Sequence, residues 1–205
     1  MIGYYNYTVI LTYLSLLSAL FGTHLAFNGK YIGALICLLL CGAFDSFDGM
    51  VARTKKGRTE EEKKFGIQID SLVDMFSFGI FPAIIGYTMG LNNLIWFFIF
   101  AIYAICAVSR LGYFNVAEEM RQKETNEKRK YYQGLPVTSA SLIFPMVYLL
   151  RHFLTPELTY SIYGCVMFIV AIAFVVDFKV IKPGLKGILA MGVIGLMVFI
   201  GLICL

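Results

Sequence analysis

Charge is what this sequence is short of. Only 15% of its 205 residues are Asp, Glu, Lys or Arg, against 59% hydrophobic, and the mean hydropathy is +0.77. Soluble domains carry about a quarter charged residues, so the shortage excludes an ordinary soluble fold and predicts an all-α polytopic transmembrane helix bundle, a single domain over residues 1–205. Ligands for soft metals are scarce too. There are two histidines, His24 and His152, with no metal spacing between them, and Cys37, Cys41, Cys106, Cys165 and Cys204 form no CxxC pair. Zinc sites and a disulfide framework are thereby excluded, and the cysteines are expected as small core or lipid-facing residues. The opening MIGYYNYT lacks a basic leader, so the first apolar run is expected to stay as a helix. No internal repeat and no domain linker is evident, and no nucleic-acid partner is expected.

Apolar windows long enough to span a bilayer, about 20 residues each, fall near Thr8 to Phe27, Tyr31 to Ala52, Phe65 to Met89, Asn93 to Tyr113, Gly134 to Phe153, Leu158 to Val176 and Leu185 to Leu205. They predict seven helices. Pro82 and Pro145 lie inside windows and should kink them, and FKVIKPG between the last two windows reads as a loop or interfacial turn. With the N-terminus inside, fifteen of the seventeen basic residues fall on the inner side and only Lys30 and Arg151 outside. Basic residues concentrate in cytoplasmic loops, so this split predicts a cytoplasmic N-terminus in the cell membrane.

Against this background the acids of one stretch stand out. Asp45 and Asp48 end the second window, Asp70 and Asp74 lie in the third, and the charged linker TKKGRTEEEKK separates them. Carboxylates at membrane depth persist where they pair, bind ions or line a polar cavity. Spacings of three and four put each pair on one helix face, and the predicted topology brings both pairs to similar depth near the cytoplasmic surface. Asp45, Asp48, Gly49 and Ala52 form one stripe, and Gly66, Asp70 and Asp74 another, so residues with little or no side chain leave a slot beside the acids. The same small residues could instead serve close helix packing. Four oxygen donors without thiolate or imidazole suit Mg²⁺ or Mn²⁺, and their charge could balance two such ions. Two ions could clamp a phosphoryl transfer, with Arg53 neutralising a phosphate. A cation path or proton relay is the other reading of the acids.

The pattern Asp45-x-x-Asp48-Gly49-x-x-Ala52-Arg53, twelve residues, then Gly66-x-x-x-Asp70-x-x-x-Asp74 resembles the signature of the CDP-alcohol phosphotransferases, with all eight fixed residues present. The resemblance implies a six-helix core, here with about one extra C-terminal helix, usually dimeric, in which CMP leaves a CDP-linked lipid as an alcohol attacks. It implies that Asp45, Asp48 and Asp70 hold one metal and Asp70 and Asp74 help hold a second, and that Asp74 is the base for the hydroxyl. Asp48, Gly49, Ala52, Arg53 and Gly66 would take the CDP-lipid. FGIQIDSLVDMFSFGIFPA, Arg110-Leu111-Gly112-Tyr113-Phe114-Asn115 and Gly134-Leu135-Pro136 further resemble the phosphatidylserine synthase branch, except for Tyr113 where an Arg is frequent. The acceptor is therefore expected to be L-serine, with glycerol phosphate or inositol phosphate as the alternative. Arg110 is the expected contact for the serine carboxylate or a lipid phosphate, its other reading being a snorkelling anchor.

Overall fold

The computed structural model describes residues 3–52, 54–55, 57–124, 131–181 and 184–205. Helix α1 (Ile10–Phe27) runs into α2 (Tyr31–Ala52) through a tight turn in which Gly29 takes φ +72°. Helix α1 buries Thr12, Ser15, Ala19, Gly22 and Ala26, a stripe of small and hydroxyl residues at helical spacing, while Leu17 and Phe21 point outward, each about 60% exposed. That arrangement suits a bilayer, where lipid tails are as apolar as leucine and helices associate by close approach. Helix α2 answers with Ala34, Leu35, Cys37, Leu38, Cys41 and Gly42. The two cysteines are core residues as expected, and Cys165 and Cys204 lie exposed on the outside.

The third rod is continuous but not uniform. Helix α3 (Glu60–Asp74) passes into a π-helical turn at Met75–Ile80 and then α4 (Phe81–Thr88). Its start is fixed by a capping box: the Glu62 amide donates to Thr59 Oγ1 at 3.1 Å and the Thr59 amide to Glu62 Oε2 at 3.2 Å. Three glutamates in the first turn complement the positive end of the helix dipole. The charged linker thus becomes helical from Glu60 onward. Pro82 has no N–H to offer the Phe78 carbonyl four residues back. The hydroxyl of fully buried Tyr103 donates to that carbonyl instead, at 2.6 Å.

Helix α5 (Leu94–Glu124) packs along α7 (Pro156–Val175), and the centre of the molecule is a cluster of rings from α4, α5, α6 and α7. Phe144 stands 4.8 Å from Tyr163 and 5.8 Å from Tyr103, which in turn meets Phe174 at 5.3 Å between centroids. Helix α8 (Leu185–Ile203) packs against α2 and α6.

Counting α3, the π turn and α4 as one rod, the described residues form the seven helices expected, and two details need correction. Among the described residues five helices are long and apolar enough to cross a membrane: Tyr7–Phe27, Tyr31–Ala52, Glu60–Thr88, Leu94–Arg121 and Pro156–Val175. The Gly134 to Phe153 window does not form one long helix. It yields α6 (Ala140–Tyr148) between 3₁₀ turns at Val137–Ser139 and Leu149–His152, because Gly134 at φ +69° and extended Pro136 delay its start. The last window forms α8 (Leu185–Ile203), a helix of 19 residues close to its expected bounds. The second correction is a two-stranded antiparallel ribbon in this otherwise helical chain. Strand β1 (Tyr131–Gln133) pairs with β2 (Lys179–Ile181), Tyr132 opposite Val180, where the sequence reads as a loop.

Candidate active site

The site forms where the cytoplasm-predicted end of α2 meets α3. Carboxylate oxygens of Asp45, Asp70 and Asp74 all lie within 4.8 Å of one another. Asp74 is buried, 8% exposed, and Asp45 and Asp70 are half-buried. Across the helix pair Asp45 faces Asp74, and Asp48 faces Asp70. Asp48 stands at the edge of the three-carboxylate group, where Thr12 of α1 donates to its Oδ2 at 3.3 Å and the Gly49 amide supports it. All four predicted acids therefore meet.

Asp70 Oδ1 is buried without a hydrogen-bond partner. A buried carboxylate oxygen left unpaired is costly, and clustering several such groups multiplies the repulsion. A divalent cation removes both penalties at once. Three carboxylates converging on one point, with oxygen the only donor atom, fit Mg²⁺ or Mn²⁺.

Beside the acids, between Ala52 and Gly66, lies a side chain not anticipated from the sequence. Arg58 donates through Nη1 to the Ala52 carbonyl at 3.3 Å and through Nη2 to the Glu62 carbonyl at 3.2 Å. Its Nη2 would stand 2.8 Å from a Cβ at Gly66, and its Nε is buried without a partner. A guanidinium thus rests between Ala52 and Gly66, the two residues expected to flank a nucleotide. Arg53, expected at the diphosphate, lies outside the described residues. The N-terminal segment holds the start of α3 and the chain before it: Asn6 Nδ2 donates to Glu62 Oε1 at 3.3 Å, Lys55 pairs with the same oxygen at 2.8 Å, and the Tyr7 and Thr54 hydroxyls are 3.2 Å apart.

Arg110 lies apart from this group of acids, in the wall of a cavity. It is 6% exposed; its Nε donates to the Leu135 carbonyl at 3.3 Å and its guanidinium lies 5.4 Å from the Phe114 ring centre. The cavity of about 390 Å³ is lined by Ser109, Arg110, Tyr113, Gln133, the end of α7 and Asp177. One wall depends on Gly134. A Cβ there would stand 3.0 Å from the Phe174 carbonyl oxygen and 3.1 Å from that of Val176, and neighbouring amides fasten the turn, Gly134 N to Phe178 O at 2.8 Å and Leu135 N to Ala173 O at 3.0 Å.

The acids and this cavity lie at one depth. Helix α5 runs antiparallel to the α3 rod, with Ala107 against Gly79 and, eight residues further on each, Asn115 Nδ2 donating to Ser71 Oγ at 2.8 Å. This register sets Gly112 opposite Asp74 and Arg110 two residues away, about 3 Å along the helix.

Thr12, Arg58, Ser71 and Asn115 are the participants the sequence reading missed. Thr12 in the small-residue stripe of α1 was a usable signal; Arg58 sits in a charged run that offers no periodicity. His24 and His152 are both exposed and take no part.

Residues 5–177 match the family model for CDP-alcohol phosphatidyltransferases, ending before α8. Among curated proteins the chain is similar to a CDP-diacylglycerol–serine O-phosphatidyltransferase of Saccharomyces cerevisiae, 34% identical over 56% of this chain and 41% of that one. It is also similar to an archaetidylserine synthase of Methanothermobacter thermautotrophicus, 35% identical over 61% and 50%, and to a CDP-diacylglycerol–serine O-phosphatidyltransferase of Helicobacter pylori, 32% identical over 62% and 53%. The chain spans about half the length of these relatives. The matched stretch takes in most of the chain and both helices that carry the acids, and on that ground the chain belongs to the CDP-alcohol phosphatidyltransferase family.

Proposed function

We propose that this chain is an integral-membrane enzyme that transfers a phosphatidyl group from CDP-diacylglycerol, or the equivalent archaeal CDP-lipid, to the hydroxyl of L-serine and releases CMP. The observation that carries the reading is the buried convergence of Asp45, Asp70 and Asp74 with one Asp70 oxygen unpartnered, level with the cavity that holds Arg110. The names of the relatives supply the acceptor: two are serine transferases and one makes archaetidylserine.

Asp45, Asp48, Asp70 and Asp74 would hold one or two divalent ions. When bound, these would offset charge on the diphosphate and make the serine hydroxyl more acidic. The chain's own residues supply the rest. Gly49, Ala52 and Gly66 leave room for the cytidine nucleotide, with Arg53 and Arg58, the latter resting between Ala52 and Gly66, as cations for its phosphates. Asp74, the most buried acid, accepts the hydroxyl proton as the serine oxygen bonds to the lipid phosphorus and the bond to the CMP oxygen breaks. Arg110 holds the serine carboxylate and so orients the hydroxyl. The basic-residue distribution supports an active site on the cytoplasmic face and a cytoplasmic N-terminus. We further propose a homodimer, as the family resemblance implies.

The test is an assay by mass spectrometry with the purified protein, CDP-diacylglycerol and a panel of serine, glycerol phosphate and inositol phosphate, with Mg²⁺, Mn²⁺ or excess chelator. Phosphatidylserine and CMP in equal amounts, lost in chelator, are expected. Product with another acceptor alone would replace serine, and cation flux without CMP release would return the acids to a transport role.

A further inference from the structure

The acceptor cavity contains a charge that the proposed reaction has not used. Asp177 follows directly on the end of α7 and lines the same cavity as Arg110, Tyr113 and Gln133. Among the described residues its carboxylate makes no ion pair or hydrogen bond, and it is not paired with Arg110. Its position is nonetheless fixed. The Gly134 and Leu135 amides bond to the carbonyls of Phe178 and Ala173 on either side of it, and the β1–β2 ribbon begins two residues later. The turn that holds Asp177 in place is the one whose Leu135 carbonyl receives Arg110.

A cavity with one fixed cation and one fixed anion suits a particular kind of ligand. A phosphorylated alcohol carries about two negative charges and would meet Asp177 with repulsion. An α-amino acid is a zwitterion, with a carboxylate for the guanidinium and an ammonium for the aspartate. The cavity volume is at the small end of the range for ligand pockets, ~300–1,000 Å³, consistent with a small acceptor and its water. Asp177 is exposed, as the entry of a soluble amino acid requires.

Building on the serine reading above, we propose that Asp177 is the specificity-determining residue of the acceptor pocket, receiving the α-ammonium of the amino acid whose carboxylate Arg110 holds. It selects zwitterionic alcohols and refuses anionic ones, and it contributes nothing to the CDP-lipid.

The experiment compares the full-length wild type with Asp177→Asn and Asp177→Ala. Each is measured with serine, with 3-hydroxypropionate, which lacks the ammonium, and with glycerol phosphate, while CDP-lipid KM serves as the check that the fold and the nucleotide site are intact. In both variants the serine KM should rise about tenfold or more, the size of a lost charge-assisted hydrogen bond. The wild-type preference for serine over 3-hydroxypropionate should shrink by the same factor, with CDP-lipid KM unchanged. A preference ratio equal in wild type and Asp177→Asn would overturn the role of Asp177 while leaving serine transfer standing. Wild-type protein that uses glycerol phosphate and not serine would overturn both readings.

Discussion

Replacing Gly134 by alanine should damage the acceptor site without touching an acid or a substrate-facing side chain. At φ +69° an L side chain meets its own backbone, a cost of roughly 1–2 kcal/mol. The new Cβ would also lie 3.0, 3.1 and 3.4 Å from the carbonyl oxygens of Phe174, Val176 and Ala173, and backbone cannot swing aside as a side chain can. The turn must shift, weakening the Gly134–Phe178 or Leu135–Ala173 hydrogen bond at a further net cost of about 0.5–1.5 kcal/mol. Together these give a destabilisation of roughly 1.5–3.5 kcal/mol. Because the Leu135 carbonyl moves with the turn, Arg110 loses its anchor and the serine KM should rise along with the loss of stability. The assay pairs thermal unfolding in detergent with steady-state kinetics in both substrates. A Gly134→Ala protein with unchanged midpoint and unchanged serine KM would show that the turn does not hold the pocket. A rise confined to CDP-lipid KM would assign the turn to the other substrate.

The remaining expectations concern the acids, the slot and the core. Asp45→Asn and Asp70→Asn should each abolish turnover and Mn²⁺ binding, followed by the electron spin resonance of the free ion, while the protein still elutes as a folded species; retained Mn²⁺ affinity in both would remove the metal role. Gly66→Leu should drive the Arg58 guanidinium from its place and weaken CMP binding by calorimetry, whereas a loss of thermal stability with CMP affinity intact would make the small residues packing elements only. Arg110→Lys keeps the charge but loses the fork and the bond to Leu135, so serine KM should increase with little change for the lipid. Tyr103→Phe leaves the Phe78 carbonyl unsatisfied in the core and should cost about 1–3 kcal/mol, read as a lowered unfolding midpoint.

The acids were legible in the sequence because a carboxylate in an apolar helix needs a reason to be there, and spacings of three and four leave one face to share. Helix existence was legible for the same cause, through long apolar runs. What escaped depends on contacts between segments distant in the chain. Strands of three residues carry no period, so Tyr131–Gln133 and Lys179–Ile181 become a ribbon only because the Gly134 turn brings them together. The shortened α6 follows from backbone geometry at Gly134 and Pro136, which an apolar count does not register. Arg58 looks like any loop cation until α2 and α3 close around it. Asp177, an isolated acid after an apolar helix, acquires meaning only beside Arg110.

The π-helical turn at Met75–Ile80 divides the third rod into parts with separate obligations. A π turn takes in more residues than an α turn, so the faces of α4 are rotated relative to those of α3. Above it, Asp70 and Asp74 must aim at Asp45; below it, Phe81, Pro82 and Ile85 must aim at the ring cluster. With an unbroken α-helix one rotation would have to satisfy both. The wider turn sets the two faces separately, so a single rod presents its acids to α2 at one end and its apolar residues to the ring cluster at the other.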